Sequence, residues 1–376
     1  MADGVTAELL SEVSDIAADQ WDALNPSANP FVSHAFLTAL EQSGSVGQGT
    51  GWSPAPILIR GDYGAPAAAL PAYIKTHSQG EYVFDHHWAD AFERAGGRYY
   101  PKLQIAAPFS PVPGPRVLGD PALAGPILHA ALNIVERNGL SSAHATFVEE
   151  DQLDLFRDAG WLIRIGTQFH WQNDGYPDFD AFLAALSSRK RKAIRKERAA
   201  AQSAVRIEQV AGPDITPAMW NAFWIFYQDT GARKWGRPYL TRAFFDLIGE
   251  SMKDSLILFL AFDGDIPIAG ALNFASPHCL YGRYWGCTRD VPFLHFELCY
   301  YQAIDYAIQH GLPRVEAGAQ GEHKLARGYE AVPTYSAHYI ANPNFRDAVA
   351  DFLERETFAM RREIEFLGEM GPFKRA

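Results

Sequence analysis

Glu322, His323 and Lys324 stand in a row in the stretch RVEAGAQGEHKLARGYEAV, Arg314 to Val332, just behind Gly318 and Gly321. A carboxylate or a neutral imidazole takes a proton from an attacking amine when its pKa lies near the working pH. A lysine ammonium beside them stabilises a developing anion. Glu316 lies on the short apolar run that precedes the glycines, reads as part of a strand, and points opposite to Val315. The glycines permit positive φ and close approach of a ligand to the backbone. The expected catalytic set is therefore Glu316, Glu322 and His323, with Lys324 on the substrate. Sequence alone leaves open which of the three takes the proton, and whether the charges are simply solvated where a strand exits.

A second set is cationic. Arg189, Lys190, Arg191, Lys192, Arg195, Lys196 and Arg198 occupy the non-apolar sides of one expected helix. Their mutual repulsion would be relieved by an anionic partner, such as a phosphate-bearing donor or an RNA backbone. The alternative is a solvated helix face. Arg233, Lys234 and Trp235 in ARKWGRPYLTRAFF pair cations with an aromatic, which suits stacking on a base or clamping a carboxylate, and equally a snorkelling helix start. In FLHFEL, Glu297 opens a long helix with Tyr301 one turn on. Both join the expected substrate-binding set with Arg283 and Lys102, although Glu297 is also what the positive end of a helix dipole selects. His86 and His87 in DHHW are adjacent and point in different directions, so no metal site is expected.

These residues need a frame. A chain of 376 residues is long for one core, and two domains are expected, 1–170 and 171–376, with the basic helix at 187–198 in the second. With 48% hydrophobic and 20% charged residues the composition is that of an ordinary globular protein. The net charge of -11 argues against wholesale nucleic-acid or membrane-surface binding and leaves room for a local basic patch, and DNA is not an expected partner. The most apolar stretch, LILFLAF from Leu256 to Phe262, is strand-sized and too short to span a bilayer. The acidic N-terminus has no signal design. The 3 cysteines have no CxxC spacing, so a reducing cytoplasm is the expected setting.

Pattern supplies the elements. Pro56 to Lys75 and Leu258 to Ser276 share one plan, an apolar run, an Asp/Gly turn and a small apolar run, and both read as β-hairpins. EYVFD, residues 81–85, reads as a further strand. Phe296, Cys299, Tyr300, Ala303, Ile304, Ala307 and Ile308 recur at helical spacing before Gly311 and Pro313. His144 to Gln172 reads strand, helix, Gly160 stop, strand. Asp178 to Ala200 reads as one helix. The stretch Ala107 to Pro121 holds five prolines in fifteen residues and must be a loop, either functional or a rigid connector. Strands interleaved with helices in both halves make the fold mixed α/β (α+β).

The segments YVFDHHWADAFERAGGRYYPKLQIAAPFSPVPGPRVL, SSRKRKAIRKER, RKWGRPYLTRAFF, PIAGALNFA, LYGRYWGCTRDVPFLHFELCYYQAIDYAI and RVEAGAQGEHKLARGYEAVPTYSAHYI resemble the FemAB-like family of N-acyltransferases, labelled peptidoglycan biosynthesis/recognition, over roughly residues 20 to 355. That family is similar to the Fem-type aminoacyl-tRNA-dependent transferases, whose fold is two GNAT domains in tandem. The resemblance implies transfer of an acyl or aminoacyl group from an activated carrier, an aminoacyl-tRNA or an acyl thioester, to an amine, with a cell-wall precursor as one acceptor. It places Glu316 to Lys324 at the reaction cleft and gives Arg189, Lys190, Arg191, Lys192, Arg195 and Lys196 to the carrier. No tightly bound cofactor is implied. The chain departs from acetyl-CoA-dependent GNAT enzymes in lacking the Gln/Arg-x-x-Gly-x-Gly/Ala pyrophosphate loop, since the nearest stretch, Arg283 to Thr288, ends in threonine and runs through RDVPFLH before its helix. A recognition module for a cell-wall precursor or RNA, and an acetyl-CoA enzyme, are the competing readings.

Overall fold

A computed structural model describes residues 6–235, 238–318 and 321–374, with the side chains of residues 230–235 and 322 outside it. The chain forms two compact units, Met1–Gly166 with Pro333–Arg362, and Thr167–Val332 with Glu363–Ala376.

In the first unit β1 (Ala7–Leu9), β2 (Trp52–Pro54), β3 (Ile57–Arg60), β4 (Pro66–Leu70), β5 (Ala72–Lys75), β6 (Lys102–Ile105), β7 (Leu118–Gly119) and β8 (Ser142–Val148) build two layers. One is the antiparallel order β1-β3-β4-β7, in which β3 and β4 are the expected hairpin. The other runs β8-β6-β5-β2, with β6 parallel to β8. A parallel pair needs a crossover, supplied by the helix Ala124–Arg137, whose Ala124, Ile127, Leu128, Ala131 and Val135 form one buried stripe. The expected strand at 81–85 does not form. Tyr82 sits at φ 59, which breaks the extended run, and Glu81 and Asp85 turn inward. The proline-rich loop is wound around Arg116, 1% exposed, whose guanidinium donates to Thr146 O (2.7 Å), Val112 O (2.8 Å) and Pro115 O (3.1 Å). These bonds tie the loop to β8 and to itself.

The second unit contains β10 (Arg206–Ala211), β11 (Leu256–Asp263), β12 (Ile266–Ser276) and β13 (Cys279–Cys287) in an antiparallel meander, β14 (Arg314–Glu316) parallel to β13, and β9 (Leu162–Gln172) antiparallel to β14. The expected hairpin at Asp263-Gly264 forms, Gly264 taking φ 59. β15 (Glu330–Ile340) starts in this unit, and its residues from Tyr335 onward belong to the first unit and pair there with β8. Each unit thus repeats a strand, a helix and a parallel strand: β6 to β8, and β13 to β14.

Two details of the second unit bear on function. The helix expected over Asp178 to Ala200 is broken into Phe179–Ala185 and Ser188–Ala204. Leu186, at ψ 157, forms a bridge with Phe373, and Ser187 N donates to Pro372 O at 2.9 Å. Backbone pairing therefore gives the basic helix its own start. The helix after β13 is not uniformly α either, because Glu297–Tyr301 forms a π turn before Gln302–Gln309. Among the described residues no helix is long and apolar enough to cross a membrane.

Candidate functional site

β13 and β14 pair only at Leu280 with Val315 and Tyr281 with Glu316, whereas β13 itself runs on to Cys287. The strands part at Gly282, and the chain leaves β14 through Gly318 (φ 78) and Gly321 (φ 119) into a 3₁₀ turn, Glu322–Arg327, closed by Gly328 (φ 90). A Cβ on Gly321 would sit 2.5 Å from the His323 ring, so the glycine is what lets that imidazole fold back.

The loop residues have unlike surroundings. His323 is exposed, and its Nε2 lies 2.9 Å from the Tyr300 hydroxyl. Lys324 is 1% exposed, and its ammonium donates to Gly318 O at 2.8 Å. Burial pulls its pKa down to about 7, with the charge of Arg283 acting in the same direction and Cys299 opposing. Glu316 is buried with the Arg314 guanidinium 3.0 Å away. Arg283 is half-buried, its guanidinium 5.4 Å from the Tyr284 ring. The side chains of Glu322, Arg233, Lys234 and Trp235 lie outside the described residues.

The basic helix divides into spent and unspent cations. Arg195 pairs with Asp180 at 2.8 Å. Arg198 pairs with Glu297 at 3.2 Å and Asp305 at 3.3 Å and lies 4.1 Å over the Phe179 ring. Among the described residues Arg189, Lys190, Arg191, Lys192 and Lys196 make no ion pair, and the first four crowd the opening turn of the helix, where the macrodipole is also positive. Beyond them a cavity of about 520 Å³ is lined by Phe179, Arg195, Arg198, Gln202 and Asp305 among others.

Three expected substrate contacts are corrected. Glu297 is 0% exposed and accepts from Gln202 (2.9 Å) and Gln302 (2.7 Å) as well as Arg198. It anchors the basic helix from within the core. Tyr301 is buried, and its hydroxyl donates to Glu197. Lys102 belongs to the first unit, where its ammonium donates to Ser78 (2.8 Å), Glu81 (2.8 Å) and Asp85 (2.6 Å) in full burial. All three of its protons are committed.

Sequence reading missed Glu197 and Arg327. Arg327 donates to Glu197 at 3.0 and 3.2 Å and to His323 O at 2.7 Å, with its guanidinium 3.5 Å over the Phe296 ring. One signal was available: Glu197 is the sole acid among the seven cations of Arg189 to Arg198.

The FemAB-like family, described as peptidoglycan biosynthesis/recognition, matches residues 12–375. The chain belongs to this family. The fold is similar to that of FemX, with 14% identity, TM-score 0.53, and coverage of 89% of this chain and 98% of that one. It is similar to the C-terminal domain of a protein assigned as a lysylphosphatidylglycerol synthetase from Agrobacterium fabrum, at 11% identity, TM-score 0.52, and coverage of 91% and 96%. L-PGS from Bacillus licheniformis gives 10% identity, TM-score 0.51, and coverage of 84% and 95%. No curated protein matches the sequence. The architecture is accordingly the tandem GNAT-like one, with the strand, helix and parallel strand present in each unit.

Proposed function

We propose that the chain is an N-acyltransferase that moves an acyl or aminoacyl group from an activated carrier to an amine, with a cell-wall precursor as the acceptor class. The carrier's phosphates lie on the basic helix and the reaction takes place at the loop after β14. The observation that carries this reading is the tie between the two: five cations that make no ion pair among the described residues sit on the helix whose Glu197 is hydrogen-bonded to the 3₁₀ turn bearing His323 and Lys324.

In this scheme the acceptor nitrogen forms a bond to the carrier's acyl carbon, and the bond from that carbon to the carrier's oxygen or sulfur then breaks. The amine proton passes to His323, which is exposed and held by Tyr300. It leaves with the departing carrier. Lys324, in its charged form, stabilises the tetrahedral oxyanion. Glu316 is a weaker candidate for the base because its carboxylate faces Arg314 in a buried pair.

The carrier is more consistent with an aminoacyl-tRNA or another phosphate-rich ester than with acetyl-CoA. Where a pyrophosphate loop would need free backbone donors, Thr288 gives both its amide (2.9 Å) and its hydroxyl (3.3 Å) to Ile268 O. Native mass spectrometry of the freshly purified protein tests the class of carrier directly. A co-purifying nucleic acid or phosphorylated ester supports the reading, and a bound coenzyme A thioester overturns the carrier assignment. In binding to a tRNA pool, Arg191→Glu with Lys192→Glu should flatten the salt dependence by roughly 0.7 to 0.9 in slope for each phosphate left unneutralised.

A further inference from the structure

We infer that Glu197 and Arg327 are positioning residues through which occupancy of the basic helix sets the placement of His323. The inference rests on the proposed carrier role of that helix.

Glu197 has Ala193, Ile194, Ala200 and Ala201 at the helical positions that could face it, so no cation of its own helix is placed to pair with it. Its partners come from other elements. Its carboxylate accepts from Arg327 at 3.0 and 3.2 Å and from the Tyr301 hydroxyl. Arg327 is 7% exposed and ends the 3₁₀ turn. Its planar guanidinium is fixed on three sides, by the Phe296 ring at 3.5 Å, by Glu197, and by the His323 carbonyl at 2.7 Å. A lysine could carry the charge but could not serve carboxylate and carbonyl from one rigid fork.

The π turn contributes the other half. It places the adjacent Tyr300 and Tyr301 so that one reaches the His323 ring at 2.9 Å and the other reaches Glu197. Such turns interrupt helices frequently at functional sites. His323 is therefore held at its carbonyl and at its ring, and both holds lead back to Glu197, one through Arg327 and one through the π turn. Any shift or stiffening of the basic helix on binding an anion passes to the imidazole by these contacts. The coupling is local, within one packed network of the second unit.

The test titrates the whole protein with inorganic polyphosphate while the His323 ring is followed by NMR, its signal assigned among the 12 histidines by comparison with His323→Ala. Wild type should bind in a salt-dependent way, and the His323 signal should shift on saturation. Glu197→Gln and Arg327→Lys should bind with unchanged salt slope and lose the shift. Asp180→Asn, which removes the Arg195 pair on the same helix, should keep it. If polyphosphate binds and His323 does not respond in wild type, or responds equally in Glu197→Gln and Arg327→Lys, the coupling is overturned while the carrier role of the helix stands. If polyphosphate fails to bind wild type, the carrier role itself falls and the inference falls with it. Far-UV circular dichroism and melting separate a misfolded variant from an uncoupled one, and Arg327→Lys keeps the charge should Glu197→Gln fail to fold.

Discussion

His144 and His338 face one another as register partners on β8 and β15, with their Nδ1 atoms 2.7 Å apart. Each is backed at Nε2 by a serine two residues earlier on its own strand, Ser142 and Ser336, both at 2.8 Å. Only one proton fits between two ring nitrogens, so at least one imidazole must be neutral. Burial holds His144 down at about 3 and His338 well below the ordinary histidine range, and Lys102 and Arg164 act in the same direction while Asp85 opposes. In the unfolded chain both titrate near 6.5. Folding stability from the pair is therefore fully present above that value and is lost as pH falls toward 3. The urea midpoint should drop steadily between pH 6.5 and pH 4, and His338→Gln should be less stable at pH 7 with a shallower acid slope.

Glu297 anchors the basic helix from full burial. Glu297→Ala leaves Arg198 without its main partner and should cost about 3 kcal/mol, the usual order for breaking a buried pair. Glu297→Gln keeps the shape and two of the acceptor contacts and should cost clearly less. Urea denaturation of the two variants checks the order.

Lys324 behaves oppositely. Its ammonium is buried against a single carbonyl and its pKa is lowered to about 7. A cation whose folded pKa is depressed adds stability above its unfolded value, near 10.4, and loses that stability as pH falls through about 7. Lys324→Met should therefore be at least as stable as wild type at pH 6, with the difference vanishing toward pH 10. The same variant should be inactive in transfer. Thermal melts across pH, set beside an activity assay, check both halves.

Gly286 lies where β13 meets the helix Pro217–Trp235. A Cβ there would approach Phe226 O to 1.9 Å, a backbone atom that cannot swing aside. Gly286→Ala should cost on the order of 3 kcal/mol, at the upper end for overpacking, and a denaturation midpoint measures it.

Much of the frame could be read from the chain because it rests on local signals. The Asp263-Gly264 hairpin, the stripe of Ala303, Ile304, Ala307 and Ile308, and the stop at Gly311 each follow from neighbours in sequence. What escaped depends on distant partners. The break at Leu186 is made by Phe373, and the loss of the strand at 81–85 follows from the Lys102 ammonium drawing Glu81 and Asp85 inward. In the site, the loop glycines and the cation run were visible. The roles of Glu297, Tyr301 and Lys102 were not, since a buried and an exposed polar side chain look alike in sequence. Tyr300 was legible only as one position of an apolar helical stripe and Arg327 not at all, because a π turn and a guanidinium clamp have no composition of their own.

On the proposed function, the loop after β14 catalyses transfer of an acyl group to an amine. The most direct test is to incubate the protein with tRNA charged with radiolabelled amino acids, and separately with labelled acyl thioesters, in the presence of a peptide-bearing cell-wall precursor, and to measure label in new amide bonds. Wild type should form labelled amide from the tRNA-linked donor, and His323→Ala should lower the rate at least about 100-fold with an unchanged melting temperature. Absence of labelled amide with every donor would rule out transferase activity, and full activity in His323→Ala would rule out His323 as the base.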